Sequence, residues 1–231
     1  LIASPTLRQR IGVFALHDDW DIPQALYQEV TSAVKSSPCA DKPLWMTEFG
    51  DLEQSGEREW YVAWAMVSRL FDHLEAGFNA SLVWDAFDNY HDHDEAWTIY
   101  GLLRTGLRLY TPKKRYYAMK QVFRFVRPGF QRIAVECDEP QLRACAFASP
   151  DRAQLSLCGM NRGALPARLN VELAGFPPSM LATRLAYYRT SEQENCVQVE
   201  TMPARGHAWP FNGIDALIPS GSIFTLTTIE D

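Results

Sequence analysis

The sequence lacks three features that would place it in common classes of protein. No run of apolar residues is long enough to cross a membrane. No basic block occurs, and 22 Lys and Arg stand against 28 Asp and Glu, so a net charge of -6 would repel phosphate-rich partners. The five cysteines form no C-x-x-C pair, which argues against a zinc cluster, a redox motif or a dense disulfide framework. We therefore expect neither nucleic acid nor a membrane as partner.

Several catalytic motifs are also absent. The chain contains no G-x-S-x-G, no G-x-x-x-x-G-K and no G-x-G-x-x-G, so a serine hydrolase or a nucleotide-dependent enzyme is not supported, and no cofactor is predicted. The polar run from Asp88 to Asp94 includes His91, Asp92 and His93. Potential ligands that adjoin one another in sequence lack the open spacing of zinc signatures, so no metal is predicted.

What the sequence does contain is enough apolar residue, 47% of 231, to bury one large or two smaller cores. Its first part alternates apolar runs with segments of helical periodicity. The predicted elements are a strand over 11–16, a helix beginning near Asp21, a strand ending at Glu48, a helix over 57–76, a strand over 78–85 and a helix from about Pro112 to Pro128. This alternation predicts parallel βαβ units.

The pattern changes after Gly129, where short alternating runs are divided by turn residues. Such spacing is typical of an antiparallel β-sandwich. The runs lie near 131–137, 142–148, 153–160, 167–174, 182–189, 196–201, 214–218 and 222–228. We therefore predict two domains, residues 1–128 and 129–231.

Glu48 is the leading candidate for chemistry. It ends the apolar run Leu44-Trp45-Met46-Thr47 and is followed by Phe49-Gly50, which lets the chain turn sharply. A continuous apolar run is typical of a buried parallel strand, and a carboxylate at its carboxyl end would lie at the mouth of an α/β fold. Glu48 could act there as a nucleophile or general base, or it could be a solvated loop glutamate.

His17 closes the preceding predicted strand and is expected in the same mouth as Glu48. It could hold that carboxylate ionised through a hydrogen bond, or it could be a polar residue with a purely structural role. Asp18 follows directly and is expected to be a loop residue rather than a ligand.

Trp84 ends the third predicted strand and offers a flat apolar face to a sugar ring, although ordinary core packing would also explain it. Asp85, Asn89 and Tyr90 follow it closely and could hydrogen-bond sugar hydroxyls. These residues complete the predicted substrate-binding set.

Three stretches together resemble the retaining glycoside hydrolases of clan A, and family 30 above all. Pro43–Gly50 resembles the seventh-strand motif that carries a nucleophilic glutamate, and Leu82–Asp85 looks like the eighth strand. The segment from Arg115 to Ile133 looks like the last barrel helix running into a side β-sandwich. Families 5 and 39 share part of this pattern. The resemblance implies the C-terminal part of a (β/α)8 TIM barrel, strands six to eight, followed by an antiparallel β-sandwich.

The resemblance also implies a function, a β-glycosidase that hydrolyses O-glycosidic bonds of an oligo- or polysaccharide by double displacement. Glu48 would be the nucleophile, Trp84 would stack on the sugar, and His17 would tune Glu48. In this clan the acid/base glutamate follows an asparagine on strand four, about 90 residues upstream at about 30 residues per unit. Only 47 residues precede Glu48 and they contain no Asn-Glu pair. We therefore expect a fragment, inactive without the missing N-terminal barrel portion of the same polypeptide.

Two alternatives remain at this point. The chain could belong to a non-catalytic carbohydrate-binding protein, or its sandwich could be a purely structural domain. The sequence names neither the sugar, the linkage nor the compartment, although the resemblance favours a secreted or periplasmic location.

Overall fold

A computed structural model describes residues 4–18, 22–50, 59–87, 100–105, 110–181, 183–203 and 214–229. The chain divides into two compact units, residues 1–116 and 117–231. This division follows the contacts between residues. The predicted domain boundary near residue 128 instead marks the change from helix to strand, and it stays a prediction. Among the described residues, no helix has the length and hydropathy needed to cross a membrane.

The first unit contains a three-stranded parallel sheet in sequential order, β1-β2-β3. Its elements are α1 (Pro5–Arg8), β1 (Phe14–Asp18), α2 (Gln24–Lys35), β2 (Leu44–Phe49), α3 (Glu59–Ala76), β3 (Ala80–Val83), β4 (Leu103–Thr105), β5 (Tyr110–Pro112) and the start of α4 (Lys114–Phe123). Because α2 and α3 each lie between parallel strands, the predicted β-α-β-α-β order is confirmed. All three strands end at one edge of the sheet.

The first strand differs from its prediction over 11–16. It begins at Phe14, whose amide donates to Pro43 O at 3.0 Å, and it pairs with β2 from Leu44 onward. It ends two polar residues later than expected, at Asp18, because that carboxylate is buried against partners on α3. The following helix begins at Gln24, and Asp21, near which it was predicted to begin, lies outside the described residues.

Helix α3 buries only part of the stripe that its aromatic residues suggest, and Phe71 belongs to the buried part. Tyr61 is 61% exposed, whereas the smaller side chains of Val62 and Ala63 are buried. The helix stops where expected, because Gly77 adopts a φ of +98° that most side chains disfavour. The amides of Gly77 and Phe78 both donate to His73 O at 3.1 Å, which satisfies a carbonyl left open at the helix end.

The described strands of the second unit pair in antiparallel fashion, as predicted. One sheet has six strands in the order β11-β10-β13-β8-β7-β6, and a second has two, β12-β9. The elements are β6 (Gln131–Ile133), β7 (Leu142–Ala148), β8 (Leu155–Asn161), β9 (Ala167–Val171), α5 (Pro178–Leu181), β10 (Arg184–Thr190), β11 (Val197–Pro203), β12 (Ile214–Ile218) and β13 (Ser222–Thr227). Apolar side chains from both sheets form its main core, including Leu157, Leu169, Tyr187, Ile214 and Phe224.

Small hydroxyl groups on the other face of the six-stranded sheet bind the end of α4. The Gln121 carbonyl accepts a hydrogen bond from Thr225 Oγ1 at 2.6 Å, and the Phe125 carbonyl accepts one from Ser156 Oγ at 2.6 Å. The Gln121 side chain donates to Thr190 Oγ1 at 2.8 Å. A helix leaves its last carbonyls without intrahelical partners, so the sheet hydroxyls satisfy groups that burial would otherwise penalise.

Phe125 anchors the same end of the helix through its ring, which is fully buried and stacks on Tyr188 with centroids 4.5 Å apart. We expect Phe125→Ala to lower the free energy of unfolding by about 3–5 kcal/mol, because it removes a buried ring and leaves a cavity. Urea denaturation measures the change. Phe123→Ala is the matched control, since Phe123 is 44% exposed two residues earlier. Equal losses in the two variants would contradict the anchor.

Candidate active site

The carboxyl ends of β1 and β2 bring His17 and Glu48 together. The two residues are directly opposite in the parallel ladder, and His17 Nδ1 lies 3.4 Å from Glu48 Oε2. The Glu48 side chain is 23% exposed and that of His17 is 52% exposed. The imidazole can therefore hydrogen-bond the carboxylate while both groups remain open to a ligand.

Irregular pairing at the end of β2 determines which way Glu48 faces. The register shifts between Leu16 and His17 on one side of the strand, and between Met46 and Phe49 on the other. Both Met46 and Phe49 are fully buried, and the Phe49 ring lies 4.9 Å from the ring of His73 on α3. Because a bulge redirects side chains, Glu48 is directed away from the helix layer instead of into it.

Trp84 follows β3 and is tied to the end of β2, since its amide donates to Phe49 O at 2.8 Å. Its side chain is 48% exposed, and the Trp84–Asp85 peptide bond is cis. The Asp85 carbonyl accepts from Leu102 N at 2.9 Å, which joins this segment to the start of the β4–β5 hairpin. Asn89, Tyr90 and the polar run from 88 to 94 lie outside the described residues.

Strands β2 and β3 also expose large apolar side chains. Trp45 is 40% exposed and Leu82 is 47% exposed, and each alternates with a more buried neighbour that faces the helices. Together with Trp84 they give this sheet face an apolar character.

Behind the sheet lies a buried polar cluster formed by Asp18, Arg69 and His73. The Asp18 carboxylate is fully buried, with Oδ2 3.3 Å from Arg69 Nε and 3.4 Å from His73 Nε2. Asp18 was expected to be a loop residue, and this is wrong: it is the last residue of β1 and faces α3. Burial, together with the neighbouring Asp18 carboxylate, raises the pKa of the Tyr27 hydroxyl above its usual range.

His73 and Arg69 were not singled out from the sequence. His73 is fully buried among aromatic rings, with centroids 5.0 Å from Tyr27 and 5.7 Å from Phe78, and its Nδ1 lies 3.5 Å from Ser81 Oγ. The available clue was their spacing of four residues, which places two basic side chains on one helical face beside buried apolar residues. That pattern alone does not say which carboxylate they meet.

Taken together, the geometry provides one partly exposed carboxylate, a histidine in contact with it and an exposed indole at the next strand end. A carboxylate so placed can act as a nucleophile or as a general base. In the part of the chain that the structure describes, no group of three His, Cys, Asp or Glu residues is arranged to hold a metal ion.

The architecture is that of known sugar-cleaving enzymes, although no family model matches the sequence. A GH30 endoxylanase from Clostridium papyrosolvens C71 aligns with a TM-score of 0.72 and 19% identity, over 98% of this chain and 51% of that one. A glycoside hydrolase family 30 subfamily 8 xylanase from Clostridium acetobutylicum gives 0.70 and 17%, over 98% and 50%. An endo-β-1,6-glucanase gives 0.64 and 14%, over 96% and 42%.

The chain therefore has the fold of the C-terminal portion of family 30 glycoside hydrolases, part of an α/β barrel domain followed by a β-sandwich, as the sequence predicted. It spans about half the length of the first two structures. At identities below 20%, this likeness concerns the fold.

Gly50 is the residue that lets the ends of β2 and β3 approach each other. A Cβ at this position would lie 2.3 Å from the backbone oxygen of Trp84, a distance that real side chains do not tolerate. We expect Gly50→Ala to destabilise the first unit by about 1–3 kcal/mol, because the two strand ends must separate. Gly12→Ala is the control, since a Cβ there meets nothing within 4 Å. Thermal unfolding of the two variants compares them, and equal melting temperatures would contradict the close approach.

Proposed function

We propose that this chain is the C-terminal portion of a retaining β-glycosidase that acts on an oligo- or polysaccharide, with Glu48 as the nucleophile. The observation that carries the proposal is the position of Glu48, partly exposed at the carboxyl end of a parallel strand and 3.4 Å from His17. The shared fold supports it, because the solved relatives include two xylanases and a glucanase. In (β/α)8 barrels, catalytic residues lie at this end of the strands.

The chemistry that follows is double displacement. A Glu48 oxygen forms a bond to the anomeric carbon while the glycosidic C–O bond breaks, and the leaving oxygen takes a proton from a carboxylic acid. A water molecule then attacks the same carbon, gives its proton to that second carboxylate and releases Glu48. Retention needs the two carboxyl groups about 5–5.5 Å apart. We assign the second one to the N-terminal barrel portion of the same polypeptide.

His17 and Trp84 would support this reaction in different ways. A hydrogen bond from the His17 imidazole would hold the Glu48 carboxylate, the group that attacks carbon. The half-exposed Trp84 ring offers an apolar face on which the C–H groups of a sugar can stack. Asp85, Asn89 and Tyr90 remain proposed partners for the sugar hydroxyls.

The nucleophile assignment is tested in the full-length protein that contains this chain. We expect Glu48→Gln to lower kcat by at least about 1000-fold, because an amide cannot form the glycosyl ester, and to abolish labelling of the Glu48 peptide by a 2-fluoro glycoside. Mass spectrometry of the digested protein locates the label. Glu29→Gln, on the exposed surface of α2, is the control and keeps full activity. Label retained in the Glu48→Gln protein would place the nucleophile elsewhere.

A separate prediction concerns the present chain. Purified residues 1–231 should not hydrolyse aryl β-glycosides measurably, because the proposed mechanism needs a second carboxyl group that we assign to another part of the polypeptide. The full-length protein assayed beside it is the positive control. Turnover by the chain alone at an enzymatic rate would overturn the assignment of the acid/base residue.

Carbohydrate binding without catalysis is the second candidate, and the exposed Trp84 ring favours it independently of Glu48. The Glu48→Gln experiment separates the two functions. A binding protein has no turnover for the substitution to remove, whereas the enzyme loses turnover and can still bind sugar.

A further inference from the structure

Arg69 contacts the ends of both strands that carry the paired site residues. From α3, its Nε lies 3.3 Å from Asp18 Oδ2 at the end of β1, and its Nη1 donates to Gly50 O at 2.5 Å just after β2. Asp18 directly follows His17, and Gly50 is two residues beyond Glu48. One guanidinium group therefore links the two strand ends, from the helix side of the sheet.

Burial of Asp18 opposes movement of the end of β1 away from Arg69. The Asp18 side chain is fully buried, and a buried carboxylate is strongly unfavourable unless nearby positive or polar groups compensate for its lost hydration. Two of its neighbours, Arg69 and His73, lie one turn apart on α3 and approach the same oxygen, Oδ2. Moving β1 relative to α3 would separate that carboxylate from both groups, and the cost of a buried charge without nearby partners opposes such a movement.

The turn of α3 that carries His73 also reaches the third strand. His73 Nδ1 lies 3.5 Å from Ser81 Oγ, and Ser81 pairs with Met46 in the β2–β3 ladder. The helix thus contacts all three strands through polar atoms placed near the site, in a layer that otherwise packs through apolar side chains.

We propose that Arg69 is a positioning residue for Glu48, a role that rests on the proposed function of this site. By fixing Gly50 relative to Asp18, it sets the direction in which the short segment between Met46 and Gly50 presents the carboxylate to the anomeric carbon. Arg69 itself is on the opposite side of the sheet from the exposed Glu48 face and does not touch the sugar. Displacement of a reacting group by about 1 Å lowers a rate by about 100-fold, so this geometry matters for the attack step.

Lysine cannot reproduce the arrangement. The planar guanidinium group donates through Nη1 to Gly50 O while its Nε lies 3.3 Å from Asp18 Oδ2, whereas an ammonium group carries its charge at one point on a flexible stem. Arg69→Lys keeps the positive charge near Asp18 and loses the simultaneous bond to Gly50 O. This substitution therefore separates geometry from charge.

The experiment uses the full-length protein and inactivation by a 2-fluoro glycoside, which isolates attack by the nucleophile. We expect Arg69→Lys to lower the maximal inactivation rate constant by about 10- to 100-fold while the inactivator dissociation constant changes less than about threefold. Arg115→Lys is the matched control. Arg115 is a fully buried arginine whose Nη2 lies 3.4 Å from Glu59, and it contacts neither strand end named here. It should keep the wild-type inactivation rate.

Two further measurements keep the role distinct from simple stability. Asp18→Asn keeps the shape of the side chain and removes its charge, and we expect it to slow inactivation as well, by less than Arg69→Lys. Hydrogen exchange of the Trp84 amide, which donates to Phe49 O, should be at least about tenfold faster in Arg69→Lys than in Arg115→Lys. That readout needs no catalysis, so it reports on positioning even if Glu48 of the wild-type protein is never labelled and the proposed function fails.

The comparison requires that Arg69→Lys and Arg115→Lys lower the melting temperature equally. The proposal is overturned if, under that condition, Arg69→Lys slows inactivation no more than Arg115→Lys does. It is also overturned if Trp84 exchange is equal in the two variants. If Arg69→Lys does not fold, a wild-type inactivation rate in Asp18→Asn has the same consequence.

Discussion

The Asp18 carboxylate, buried behind the sheet beside Arg69 and His73 of α3, is the constraint on which the candidate site depends. Side chains alternate along a strand, so shifting β1 by one residue would turn Asp18 toward solvent and drive His17 toward the helix layer. A slip of that kind would separate the carboxylate from Arg69 and His73 and would dissolve the contact between His17 and Glu48. An apolar residue at position 18 could fill the same space, but it would tolerate neighbouring registers more readily, because apolar packing is less directional than an ion pair.

The two units stabilise buried polar groups by different means. In the first unit the Asp18 carboxylate lies inside an apolar layer, where its burial is unfavourable without compensating groups such as Arg69 and His73. In the second unit the polar atoms at the end of α4 are neutral hydroxyls and carbonyls, as in the bond from Thr225 to Gln121 O. Breaking a hydrogen bond between neutral groups leaves a smaller desolvation penalty than leaving a buried charge without its partner. Side chains on β13 alternate between these two roles, since Phe224 faces the sandwich core and Thr225 faces the helix.

Much of the fold could be predicted because local patterns determine it. The apolar runs predicted the last two parallel strands, and Gly77 predicted the end of α3. Turn residues predicted where the antiparallel strands are divided. Hydrophobicity alone could not show that β1 continues to Asp18, because a buried charge looks like a loop residue until its partners are known. Residue type alone also misleads on α3, where the large aromatic Tyr61 is exposed and its smaller neighbours Val62 and Ala63 are buried.

The candidate site divides along similar lines. Glu48 and Trp84 were found from short motifs at strand ends, and the structure places His17 beside Glu48 as its position after the first strand suggested. Arg69 and His73 were not predicted, because their importance arises from contacts with Asp18, which is about 50 positions away in the sequence. The irregular pairing between Met46 and Phe49 also could not be predicted, because no local sequence pattern indicates it.

The order of the six-stranded sheet has a consequence for how the protein is made. Strand β13, residues Ser222–Thr227, lies between β8 and β10 and joins the group β6-β7-β8 to the pair β10-β11. During synthesis on the ribosome, the earlier strands emerge first and have no central neighbour to pair with until residues 222–227 follow. The sandwich must therefore close late, and loss of this one short segment by premature termination would leave two separate ribbons with open edges.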